Sequence, residues 1–169
     1  MEQQEYEQAS RFWTDKEEHL KRMTDDRLSK EIDHFLEAHN TCALATGTKD
    51  FVRCTPIEYT YFDKKLWMLS EGGLKFKALA ENKHVCIAVY DTYSGFGNVK
   101  GMQITGEAEM VPPFSESYQK VLEYKKIPAE AIRKLSHPMY LIQVTPKRID
   151  ILNSNFKKEG FDSRQFLID

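Results

Sequence analysis

LWMLSEGGLKFKALAENKHVCIAVY, residues 66–90, is the stretch from which the rest of the chain can be read. Leu66-Trp67-Met68-Leu69 is an apolar, aromatic-containing run of strand type. Ser70 follows, and Glu71-Gly72-Gly73 is a strong turn signal. Lys75 to Asn82 has helical composition and carries apolar residues at Leu74, Ala78 and Leu79. His84 to Tyr90 is apolar and β-branched, a second strand. A strand, a glycine turn and a short helix form a natural anion site, because the first N–H groups of a helix are unpaired and its dipole is positive there. The Ser70 hydroxyl and the Lys75 ammonium flank that start. The expectation is a turn that holds the phosphate of a cofactor.

The totals narrow the class. The chain has 169 residues, 41% of them apolar, which suits one domain with a real core. The net charge of -2 and pI near 6.2 give no basic excess for nucleic acid. No apolar run reaches the ~20 residues of a membrane helix. MEQQEYEQAS, residues 1–10, is acidic and polar, unlike a signal or transit peptide. Cys42, Cys54 and Cys86 are odd in number, lie in strand-like runs and lack paired metal spacing. They read as reduced thiols of a cytoplasmic protein, without a zinc site. Cys54 reads as a small buried strand residue. The five histidines form no spaced metal pair.

Upstream, residues 1–13 are a polar lead ending in Phe12-Trp13, an anchor or a half-ordered tail. Thr14 and Glu17 have capping-box spacing, which predicts a helix from Asp15. Thr24 opens another, with Leu28, Ile32, Phe35 and Leu36 at helical spacing. From Thr41 the period changes. TCALATG, FVRCTPIEYTYF and LWMLS are three strands separated by short polar turns. Pro56 marks an edge or a bulge, since it cannot donate to a ladder.

Downstream, DTYSGFGNVKG (residues 91–101) is a glycine-rich loop. MQITGEAEMV alternates as a strand, and Gly106 signals a bulge or a close backbone approach. Helices are expected over 115–126 and 129–135, then one or two closing strands in MYLIQVTPKRIDIL and a surface-lying tail. The fold class is mainly β with flanking helices, a small barrel. Residues 1–40 form a helical extension and 41–169 the barrel, in a single domain.

The order FVRCTPIEY, LWMLS, GGLKFKALAEN, HVCIAVY and GMQITGEAEMV, closed by YLIQVTPKRIDIL, resembles the pyridoxamine 5'-phosphate oxidase-like family of FMN-binding split β-barrels, in an uncharacterised bacterial branch. The resemblance covers most of the chain beyond Asn40. It implies FMN as cofactor and a homodimer with the flavin at the subunit interface. It implies an oxidoreductase acting on a small-molecule substrate, with no residue evident as catalytic. Arg53, Cys54, Thr55 and Pro56 match the strand that lines the flavin ring and ribityl chain. Leu69, Ser70, Gly73 and Lys75 match the phosphate turn, although Leu74 stands where the family often has arginine. Asn98 and Gln103 belong to a loop expected to close over the flavin. Where the vitamin B6 oxidases supply tryptophan and arginine from the closing strands, this chain has Leu152, with Arg164 the next arginine. That departure argues against pyridoxamine phosphate as substrate more than against the flavin. Related split barrels host deazaflavin or haem, and a flavin carrier or redox sensor without turnover is the other alternative.

Overall fold

A computed structural model describes residues 2–168. Three helices lead: α1 (Gln3–Arg11), α2 (Thr14–Glu17) and α3 (Asp25–Glu37). They are followed by β1 (Thr41–Gly47), β2 (Val52–Glu58), β3 (Thr60–Phe62), β4 (Lys65–Ser70), α4 (Lys75–Leu79), β5 (His84–Tyr90) and β6 (Lys100–Val111). Helices α5 (Glu116–Tyr124) and α6 (Ala129–Arg133) form an insert before β7 (Tyr140–Asn153) and β8 (Arg164–Ile168). The strands make one antiparallel sheet in the order β2-β1-β5-β6-β7-β4-β3, with β8 added to β7.

The sheet curls because of its longest strand. The first part of β7 pairs with β4 and its last part with β8, while β6 runs along its other edge. Between these two parts the β6–β7 register skips Lys147, at Thr105/Gly106. A bulge there bends the strand pair and increases its twist. Gly106 is required by contact: a Cβ on it would lie 2.5 Å from the Thr145 carbonyl oxygen. Pro146 sits at the same irregularity, where a missing N–H costs least.

The ends of the curled sheet are β2 and β3, neighbours in sequence. Tyr59 alone joins them. It is 2% exposed, its N–H donates to the Asn40 carbonyl and its hydroxyl to the Leu36 carbonyl, each at 2.8 Å. Burial pushes that hydroxyl's pKa up, so it stays a donor.

The core has two parts. Leu28, Ile32, Phe35 and Leu36 of α3 pack on Leu44, Met68, Ile87, Ile104 and Val144. Thr24 caps that helix through its side chain, which accepts from Arg27 N–H. The second part lies under the insert: Trp67, Val111, Tyr118, Val121, Leu122 and Leu141.

Five expectations are corrected. The polar lead is helical in α1, where the Glu2 N–H donates to the Glu5 carboxylate at 2.7 Å, and the capping box at Thr14 yields only one turn. FVRCTPIEYTYF is two strands, because the chain must cross from one end of the sheet to the other at Tyr59. Cys54 is exposed, since its outward-facing position on the end strand has no covering layer. The tail is part of the fold: Phe156 is 1% exposed and Gln165 fully buried. Gln165 accepts from Met23 N–H and donates to the Lys21 and Asp162 carbonyls. Such long-range pairing of a polar side chain leaves no periodic signal in the sequence.

Candidate functional site

A groove of about 680 Å³ opens between the end strand β2 and the end of β4. Its walls are Thr55 to Glu58 of β2, Leu69 and Ser70 at the end of β4, the turn through Gly73 to Lys75, and the insert. Strand β2 borders the groove because it is an end strand whose outer edge no other strand pairs.

The turn is built from the residues singled out in sequence. Gly72 and Gly73 have φ of 138° and 103°, values that side chains disfavour. Ser70 stops the strand and closes the turn on itself: Gly72 N–H donates to its Oγ, and that hydroxyl donates to the Gly72 carbonyl, both at 3.2 Å. The short helix α4 then carries Lys75 inward. Lys75 is only 6% exposed, and its ammonium donates to the Gly72 carbonyl and lies 5.2 Å from the Phe76 ring centroid. No carboxylate pairs with it among the described residues. Burial lowers its pKa, which is the mark of a cation lacking a counter-charge. A partly buried ammonium that meets only a carbonyl oxygen and a ring is well arranged to receive an anion.

The other cation of the groove, Lys125, is paired. Glu58 holds the Lys125 ammonium at 2.8 Å, and Lys125 also reaches Thr60 Oγ1. Glu71 lies 3.4 Å from His137 Nε2. Opposite the turn, Ile127, Ile132 and Met139 of the insert form an apolar wall. The wall is anchored: Ile127 and Ile132 pack on the second core cluster, and the Tyr118 hydroxyl donates to the Met139 carbonyl at 2.8 Å.

Thr55, Pro56, Leu69, Ser70, Gly73 and Lys75 therefore line one groove. Arg53 and Cys54 continue the same strand, exposed, beyond the lining. Asn98 and Gln103 stand elsewhere in the protomer. Asn98 lines a small polar hollow with Asp91, Ser94 and Asn153. Gln103 lines another hollow, with Tyr90, Gly101, Asp150, Leu152 and Arg164. The sequence reading gave the insert wall and the Glu58–Lys125 pair no role. Pairings across 67 residues leave no local pattern; the Ile127-Pro128 break was the only available cue.

This fold is that of a split β-barrel with a cationic turn at its opening. The chain belongs to the pyridoxamine 5'-phosphate oxidase family, whose model matches residues 28–153. Solved structures of the same fold include an FAD-binding protein from Mesorhizobium loti, 18% identical, with a TM-score of 0.59 over 72% of this chain and 89% of that one. The haem storage protein HutZ from Vibrio cholerae is 19% identical, with a TM-score of 0.59 over 70% and 89%. ChuZ from Campylobacter jejuni is 16% identical, with a TM-score of 0.66 over 88% and 62%. Comparison with curated proteins gives no match.

Proposed function

We propose that this protein binds FMN and works as a flavin-dependent oxidoreductase on a small-molecule substrate. The observation that carries the reading is Lys75, a lysine only 6% exposed with no carboxylate partner among the described residues, beside Ser70 and a glycine turn. Lys75, Ser70 and Gly73 hold the phosphate. Thr55, Pro56 and Leu69 line the path away from it, and Arg53 and Cys54 extend that path along β2. The flavin supplies hydride or electron transfer, while the protein contributes position and electrostatics. Family membership and the FAD-binding likeness support a flavin over other phosphate ligands.

The reading includes a homodimer. The register places Val52, Cys54, Pro56, Ala43, Ala45, Cys86, Ala88 and Tyr90 on one outward face of β2, β1 and β5. Val52 is 78% and Tyr90 66% exposed, next to small side chains, a surface suited to a second sheet. Gln103 and Leu152 extend that face across β6 and β7, so a second copy covers them. Asn98 stands apart from the Lys75 groove in the protomer, so in this reading it closes over the flavin of the second copy. The three free thiols fit a reducing cytoplasm.

Native purification followed by an absorption spectrum tests the cofactor. A yellow protein with a flavin spectrum is expected, or a colourless one that takes up FMN at micromolar concentration. A Soret band points to haem instead, and failure to take up FMN removes the reading. Light scattering on a sizing column should give the dimer mass.

A further inference from the structure

The groove is longer than its phosphate seat, and its far end has a different chemistry. We infer that this far end, between β2 and the insert, seats an uncharged, largely apolar substrate and rejects anionic ones. The inference rests on the reading that the Lys75 end holds the cofactor.

Five apolar side chains line the groove on this side: Ile57 from β2, Leu69 from β4, and Ile127, Ile132 and Met139 from the insert. All five are half-buried, so each still presents apolar area to the groove. An incoming apolar group gains by covering that area. The wall is also fixed in place, because Ile127 and Ile132 pack on Trp67, Tyr118 and their neighbours. A fixed wall selects by shape at low ordering cost.

Charge decides the class further. The far end holds one cation, Lys125, and it is already engaged. Its side chain is 18% exposed, and it bonds the Glu58 carboxylate and Thr60 Oγ1. Glu58 already neutralises Lys125, so an anionic substrate that takes the remaining N–H of the ammonium comes to lie beside the Glu58 carboxylate, which is repulsive. Of the two cations that line the groove, Lys75 has no carboxylate partner among the described residues, and it belongs to the phosphate turn. An uncharged ligand leaves the Glu58–Lys125 pair undisturbed.

Equilibrium dialysis with 1,4-naphthoquinone and its 2-sulfonate, a pair differing by one negative charge, tests this on FMN-loaded and FMN-free protein. The neutral quinone should bind at least about tenfold more tightly than the sulfonate. Ile132→Asp should weaken the neutral quinone about tenfold and leave FMN affinity unchanged. Glu58→Gln should narrow the preference, because it frees Lys125 to meet the sulfonate. Circular dichroism establishes that both variants are folded. Equal or tighter binding of the sulfonate overturns the inference, as does binding of neither probe or an Ile132→Asp protein that binds like the parent. FMN uptake is measured separately, so failure of the cofactor reading is distinguished from failure of this one.

Discussion

Replacing Lys75 and Ser70 together by alanine should weaken FMN binding by about 100-fold and leave the far-ultraviolet spectrum unchanged. Hydrogen bonds to a charged group contribute roughly 1.5–3 kcal/mol each, and about 3 kcal/mol corresponds to two decades of affinity. Fluorescence titration of FMN checks the figure. An affinity within threefold of the parent would move the phosphate away from this turn. The same ammonium gives the FMN-free protein a pH signature. Its folded pKa lies below the ordinary 10.5, so the unfolded chain binds more protons between the two values. Stability therefore rises with pH across that window, and the burial penalty is fully present below it. Lys75→Met removes that component of the rise, which denaturant melts at several alkaline pH values will show. In the FMN-free protein this substitution should stabilise the fold at neutral pH, as expected when a buried charge without a carboxylate partner is removed.

The second large effect is expected in the frame. Gly106→Ala should cost about 3 kcal/mol and lower Tm by roughly 6–12 °C in a chain of this size. The added methyl meets the Thr145 carbonyl oxygen at 2.5 Å and Val144 Cγ1 at 3.1 Å. One is backbone and the other belongs to a fully buried residue, so neither yields easily. Gly97→Ala is the control: its Cβ has open space, and its backbone is not left-handed. Thermal melts of the two variants should separate clearly. Equal Tm values would mean that the strands slide apart at no cost.

Much of this was legible in residue order. Alternation and turn chemistry place β1, β4, β5 and β6 within a residue or two, and the Leu28-Ile32-Phe35-Leu36 spacing identifies the core face of α3. Gly106 announced its bulge because an interior strand glycine has few other uses. Pro56 announced an end strand for the corresponding reason. The phosphate turn was readable because Ser70, Gly72, Gly73 and Lys75 are close in sequence, so local geometry brings them together.

What was not legible depends on distant partners. Gln165 reads as one more polar tail residue until Met23 and Lys21 are placed beside it. Glu58 reads as a surface carboxylate until α5 brings Lys125 to it. The break at Tyr59 has no local signature, because the residues around it are as strand-like as their neighbours. Only closure of the sheet forces the chain to change ends there.

That junction has a mechanical consequence. The two banks of the opening are tied by Tyr59, which is itself pinned to Asn40 and Leu36. At this end the opening behaves as a clasp riveted on one side. Spreading the sheet ends here would break the hydrogen bonds of Tyr59 to Asn40 and Leu36, so this end of the opening is the braced one. A ligand seated against a braced wall loses less ordering entropy on binding than one that must shape a loose wall.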